Sequence, residues 1–363
     1  MKRIEFYNRE KEIKEVMDIL TTEPSLITFV YGPINSGKTE FMNHLIKKMH
    51  ESYVVFYVNL RGKFISNYKD FVRALFKIDR EKKDYKEVMK AISEVSIKTL
   101  KFAGIPVPEN ILDLLFREKT YEDIFEFLEE YFTKIAESRI PVFILDELQV
   151  IGNIKIDDLL IYRLFNFFIR LTKELHISHV FAISSDSLFL ERVYNESMLQ
   201  GRCDYFLVND FDYNTTIDFL EEYGFSNNEK EIVWNYCRGK PAYLVKLINA
   251  KRSGKDIDTV VKEMLKIRVG QIKQRIGVLK MVSKKVLFEG EEFVIKYDNV
   301  IKVLVRFLEG EYYAYEEVTP EITHLVKENL IFVDPVKRII KPQSIMDLLA
   351  LREILSSIKH LER

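Results

Sequence analysis

The chain has 363 residues, 47% of them hydrophobic and 31% charged, a mixture that folds into two or three domains and excludes a disordered chain. Lys plus Arg number 55 against 56 Asp plus Glu, a formal net charge of -1, so the chain is no bulk polycation and any nucleic-acid contact must run through a local patch. The only cysteines, Cys203 and Cys237, form no CxxC, and no apolar run nears the roughly 18 residues of a membrane span. A disulfide framework, a zinc site and membrane contact are not expected. The charged N-terminus is no signal peptide, and a reducing, cytoplasmic setting fits best.

In chain order, residues 9–20 read as an amphipathic helix, followed by strand 26–31, helix 37–50 and strand 53–60. A helix-rich insertion at 68–137 carries no motif to which chemistry can be assigned. Strand 141–145, helix 157–175, strand 179–184 and strand 205–208 complete an alternation of strands and helices typical of a parallel α/β sheet. From 211 to about 275 the pattern is helical, with helices 216–223 (capped by Asn214 or Thr215), 227–237 and 241–250. Helices at 298–309 and 319–329, a hairpin at 331–341 and a helix at 343–358 then suggest a winged-helix domain. The expected fold is α/β: a P-loop parallel-sheet core at 1–209, a helical lid at 210–277 and a winged helix at 278–363.

The strongest chemical signal is Gly32-Pro33-Ile34-Asn35-Ser36-Gly37-Lys38-Thr39, a complete GxxxxGK[ST] placed between a strand and a helix, followed by Glu40. The glycines let backbone N–H groups curl around phosphate, and the helix N-terminus adds its positive dipole end. Lys38 would meet the β- and γ-phosphates, and the Thr39 hydroxyl would ligate Mg²⁺. A second signal is Asp146-Glu147 at the end of an apolar strand: Asp146 to hold the Mg²⁺ shell, Glu147 to take a proton from attacking water. Weaker candidates depend on these. Asn59, ending the second strand, could bond Glu147. Ser184 or Ser185 could contact the γ-phosphate or the water, and Gln149 is open between a site role and a surface role.

Together these residues resemble the archaeal ATPase family, a branch of P-loop NTPases close to AAA+ and STAND proteins. The resemblance covers most of the chain and starts at Phe6-Tyr7-Asn8-Arg9-Glu10-Lys11-Glu12-Ile13, like the family's F-x-x-R-E-x-E-L opening, which implies that Arg9 and its neighbours lie beside the nucleotide base. Gly201-Arg202 is similar to a pair whose arginine approaches the γ-phosphate. Gly239-Lys240-Pro241-Ala242-Tyr243-Leu244 is similar to G-x-P-x-Y-L, which implies that Pro241 lies against adenine. Arg238 is a further candidate phosphate contact. Where the family has Gly-Ser after the fourth strand, this chain has Ser184-Ser185.

The resemblance implies ATP or ADP with Mg²⁺ as ligands, and ATP hydrolysis driving a conformational change on an unidentified protein or nucleic-acid partner. Two other readings remain open, a nucleotide-dependent signalling switch with little turnover and a DNA-binding initiator-like ATPase. Residues 251–288 hold 11 Lys and Arg against 3 Asp and Glu, whereas 289–363 hold 10 against 14. The expected recognition helix, with Glu316 and Glu317 just before it, is acidic, which disfavours DNA.

Overall fold

The segment ITFVY is buried at all five positions, as a strand must be when helices cover both faces of its sheet. The computed structural model describes residues 4–82, 84–94, 100–117, 121–151, 155–156, 158–288 and 291–361. The elements of the first part run α1 (Glu10–Thr21), β1 (Ile27–Tyr31), α2 (Lys38–Lys48) and β2 (Tyr53–Asn59). The insertion follows as α3 (Tyr68–Leu75), β3 (Phe76–Ile78), α4 (Tyr85–Glu94), β4 (Leu100–Ala103), β5 (Ile105–Val107), α5 (Glu109–Arg117) and α6 (Tyr121–Ala136). Then come β6 (Ile140–Asp146), the two-residue strands β7 (Lys155–Ile156) and β8 (Asp158–Leu159), α7 (Leu160–Ile169), β9 (His179–Ile183), α8 (Ser187–Asn195) and β10 (Cys203–Leu207).

These strands form a six-stranded sheet in the order β10–β1–β9–β6–β2–β4, parallel throughout. Alternation along each strand divides its side chains between two cores. On one face Phe29, Phe56 and Phe143 meet Phe132, Phe165 and Phe168. On the other, Val30, Val55, Ile144 and Phe206 meet Phe41 and Leu45 of α2 and Val16 of α1. The sheet therefore follows the expected α/β pattern, with one addition. The insertion supplies β4, a sixth strand paired in parallel with β2, and a separate parallel pair, β3 with β5. Residues 83, 95–99 and 118–120 of that insertion, and residue 157 at the start of the helix expected over 157–175, lie outside the described residues. Asp158–Leu159 form β8 instead, and the helix begins at Leu160 as α7, followed by a π-helical turn over Arg170–Glu174.

Helices α9 (Tyr213–Glu222), α10 (Asn227–Cys237), α11 (Pro241–Arg252) and α12 (Ile257–Gly277) follow. Asp212, rather than Asn214 or Thr215, caps α9, its carboxylate accepting from the Thr215 N–H. The four helices share a core of Phe219, Leu220, Val233, Leu244, Leu247 and Val261. An antiparallel bridge between Phe211 and Gly239 ties the segment that enters α9 to the start of α11, with the Phe211 N–H donating to the Gly239 carbonyl at 2.9 Å.

The last part holds β11 (Lys284–Phe288), β12 (Glu291–Ile295), α13 (Tyr297–Val305), β13 (Tyr313–Ala314), α14 (Pro320–Lys327), β14 (Ile331–Asp334), β15 (Ile339–Pro342) and α15 (Ile345–Leu361). Its core is built on Leu304, Leu325, Ile331 and Leu351 and receives Ile272 and Ile276 from α12. The antiparallel pairing of β11 with β12 was not expected from the sequence. Among the described residues no helix is long and apolar enough to cross a membrane.

Candidate functional site

Parallel strands carry their loops to one edge, and the loops after β1, β2, β6 and β9 meet at the carboxyl end of this sheet. The loop after β1 needs glycine twice. A Cβ at Gly32 would sit 2.2 Å from the Val208 carbonyl oxygen, so only glycine lets the loop leave β1 beside β10. Gly37 has φ +93°, a left-handed conformation costly for other residues, and α2 starts directly after it. Asn35 is also left-handed, at φ 61°.

Lys38 is buried, and its Nζ donates to the carbonyls of Gly32 and Pro33 at 2.9 and 3.0 Å. Those two residues brace the lysine rather than line the cavity. Burial, then the nearby Lys240, lowers the Lys38 pKa to about 8, against the carboxylates of Glu147, Asp146 and Asp210. A phosphate arriving there would meet a cation short of counter-charge.

Asp146 ends β6 opposite Asn59 in the parallel register. Its Oδ2 accepts from the Tyr57 hydroxyl at 2.6 Å, the Thr39 hydroxyl at 3.1 Å and Asn59 Nδ2 at 3.4 Å. Asn59 thus bonds Asp146, not Glu147, because the register puts the two strand ends side by side. Tyr57 was missed by sequence reasoning. Its hydroxyl pKa is pushed well above the usual range by burial first and then by Asp146, so it stays a donor.

Glu147 has φ 63°, and its N–H is taken by Asp146 Oδ1 at 2.9 Å. This turn directs its carboxylate to Arg61, which is the group that pairs with it: Arg61 Nε donates to Glu147 Oε1 at 3.1 Å, and Nη2 makes a closer contact to the same oxygen. The Arg61 side chain is 69% exposed and that of Glu147 only 11%, so the pair can be reached from solvent on the arginine side. Gln149 Nε2 donates to Glu147 Oε2 at 2.5 Å, and Gln149 Oε1 accepts from the Ser184 hydroxyl at 2.8 Å. The structure thereby separates the two serines. Ser184 is buried and orients Gln149, while Ser185 faces the cavity.

That cavity has a volume of about 610 Å³, within the range of small-molecule sites. Asn35, Ser36, Gly37, Lys38, Thr39 and Glu40 line its polar end, with Arg61 and Ser185. Ile4, Tyr7, Phe211, Phe219, Pro241 and Val245 line the apolar end, between the sheet part and α11. Arg9 also borders it, but its guanidinium is committed to the Ser36 and Asn209 carbonyls at 3.1 and 2.6 Å and to Glu12 at 2.8 Å. It braces the loop from behind.

Two sequence candidates lie elsewhere. Arg202 precedes β10, and the parallel register Ile27↔Cys203 puts it at the amino end of the sheet, opposite the edge where the loop follows Tyr31. Its guanidinium donates to the Met198 carbonyl at 2.8 Å, so within one chain it does not reach the phosphate loop. Arg238 stacks on Trp234 and pairs with Glu311 at 3.3 Å, so it is a cation of the helical part rather than a phosphate contact.

Thr39 and Asp146 offer two hard oxygen donors 3.1 Å apart beside the loop, a donor set that suits Mg²⁺ arriving with a nucleotide and completing its shell with phosphate and water. A strand–loop–helix with buried lysine, an acidic pair at the end of β6, the next strand but one, and a half-apolar cleft define a P-loop nucleotide protein. More particularly, the chain belongs to the family of ATPase domains found predominantly in Archaea, whose model matches residues 6–247. Residues 258–355 match the C-terminal domain of proteins like the uncharacterized ATP-binding protein MJ1010.

Among curated proteins, the uncharacterized ATP-binding protein MJ1659 of Methanocaldococcus jannaschii is 44% identical, covering 98% of this chain and 99% of that one. The uncharacterized ATP-binding protein PYRAB12000 of Pyrococcus abyssi is 45% identical, covering 98% and 99%. Among solved structures, the Walker-type ATPase paby2304 of Pyrococcus abyssi superposes with a TM-score of 0.63 over 97% of both chains at 16% identity, a likeness of fold.

Proposed function

We propose that this protein binds ATP with Mg²⁺ in the cleft between the sheet core and the helical lid and hydrolyses it. The observation that carries the reading is the convergence of Lys38, Thr39, Asp146 and Glu147 at one edge of the sheet, beside a cavity with an apolar end. Its relatives' description as ATP-binding proteins agrees with it. The loop N–H groups and Lys38 bind the phosphates, and the apolar walls of Tyr7, Phe219 and Pro241 hold the base. Thr39 and Asp146 would hold Mg²⁺, which when bound neutralises charge on the β- and γ-phosphates. Glu147 accepts the proton of the attacking water, and Gln149, held by Ser184, fixes the orientation of its carboxylate.

In the present arrangement Glu147 is occupied by Arg61, so the base is restrained. Hydrolysis waits on that pair opening, and a partner binding the exposed Arg61 would open it. Arg61→Ala is expected to raise steady-state ATP turnover about two- to fivefold, the worth of a part-exposed ion pair, with unchanged ATP affinity. A fall in both, measured by phosphate release and titration, would instead place Arg61 among the phosphate ligands.

The lid meets the core through Lys240, whose Nζ donates to the Ile34 carbonyl at 3.0 Å, and the Phe211–Gly239 bridge fixes the turn that carries Lys240. A Cβ at Gly239 would lie 2.0 Å from the Phe211 carbonyl oxygen, so Gly239→Ala must push apart the two lid segments that the bridge joins. The substitution is expected to cost about 1–3 kcal/mol of stability and to weaken ATP binding, read from thermal melts with and without nucleotide. An unchanged melting temperature would mean that the bridge does not hold the turn before α11.

A further inference from the structure

Both main-chain polar groups of Ile34, third residue of the phosphate loop, are gripped from outside the sheet core. Its N–H donates to Gln343 Oε1 at 3.1 Å, just after β15 of the last part. Its carbonyl accepts from Lys240 Nζ at 3.0 Å, at the start of α11. Both partners are buried, with Gln343 4% and Lys240 3% exposed. Gln343 cannot turn its amide over, because Nε2 donates to the Ile331 carbonyl at 2.9 Å while the Ile34 N–H can only donate. Lys240 is held in turn by Asp210 at 3.2 Å.

The β14–β15 hairpin that presents Gln343 is docked firmly on the core. Phe332 packs within the core cluster and stacks on Tyr31. The Tyr31 hydroxyl donates to buried Asp334 at 3.2 Å, the Val333 N–H donates to Ser187 Oγ at 3.1 Å, and Lys341 Nζ donates to Asn209 Oδ1 at 3.3 Å. Fixing the N–H and the carbonyl of one residue fixes the directions of the two peptide planes that flank it. Downstream of Ile34, Asn35 and Gly37 both take left-handed conformations, so the aim of the N–H groups that would meet phosphate is set by how Ile34 is held.

We infer that Gln343 and Lys240 are positioning residues for the phosphate loop: through Ile34, docking of the C-terminal part and nucleotide binding favour each other. The inference rests on the nucleotide-binding reading above and adds its regulation. By linkage, whatever docking adds to nucleotide affinity, nucleotide adds to docking.

The test uses the full chain with ADP as probe. Gln343→Leu is expected to weaken ADP binding about three- to tenfold, the worth of a hydrogen bond between protein groups. It also removes the slowing of amide exchange that ADP produces in residues 331–342 of the wild type. Ser187→Ala cuts one bond to the same hairpin but leaves it docked through Phe332, Asp334 and Lys341, so ADP affinity stays within about twofold. Wild-type affinity in Gln343→Leu, an equal loss in Ser187→Ala, or exchange at 331–342 that ignores ADP in a wild type that binds it, would overturn the inference alone. A wild type that binds no ADP would overturn the nucleotide reading and this inference with it.

Discussion

Lys38→Ala loses ATP and ADP binding by about a hundredfold or more, the largest effect expected at any single position. The ammonium is the one cation that the loop itself presents to the phosphates, and charged hydrogen bonds are worth roughly 1.5–3 kcal/mol each. The loss is not one of folding. Lys38 is a buried cation whose pKa burial and Lys240 lower to about 8, so the fold bears a cost for its charge. The nucleotide-free variant should therefore melt within a few degrees of wild type. Titration calorimetry with ATP and a thermal melt without nucleotide separate the two. A variant that keeps wild-type affinity would remove Lys38 from the site.

Glu147→Gln keeps nucleotide binding and loses turnover by about a hundredfold or more, in the range of a general base. The substitution is nearly isosteric, and an amide oxygen can still accept from Arg61 or Gln149, so the turn at φ 63° has little reason to change. It cannot accept a proton from water. Phosphate release at saturating ATP checks the rate, and titration of ATP checks the binding. Wild-type turnover would show that another group acts as the base. Because this variant holds ATP without consuming it, it is also the form with which to capture a partner that recognises the ATP state.

What the sequence disclosed and what it hid divide by locality. The loop Gly32–Thr39 and the pair Asp146-Glu147 are contiguous, and their chemistry demands fixed residue types at fixed spacing, so both stood out. The apolar runs of β1, β2, β6 and β9 were legible because strands buried on both faces are almost wholly apolar between their ends. Strand β4 was not, since LKFA is short and alternates half-buried and exposed positions at a sheet edge. Arg61 lies two residues past Asn59, yet only the β2–β6 register shows that it reaches Glu147 while Asn59 meets Asp146. Arg202 was misplaced for the same reason in reverse, because the sequence does not say at which end of the sheet a residue before a strand will fall. Ser184 and Ser185 alternate sides of the chain, and only the fold tells which is buried. Gln343 belongs to a contact between residues more than three hundred positions apart, where no local pattern exists.

The central claim is that the cleft binds ATP with Mg²⁺ and that this chain hydrolyses it there. A single-turnover assay tests it most directly: protein in excess over radiolabelled ATP, with Mg²⁺ present, and the bound nucleotide followed over time. The expected result is complete conversion of bound ATP to ADP and phosphate, stopped by chelation of Mg²⁺ and by Glu147→Gln. Bound ATP recovered intact from the wild type would contradict it.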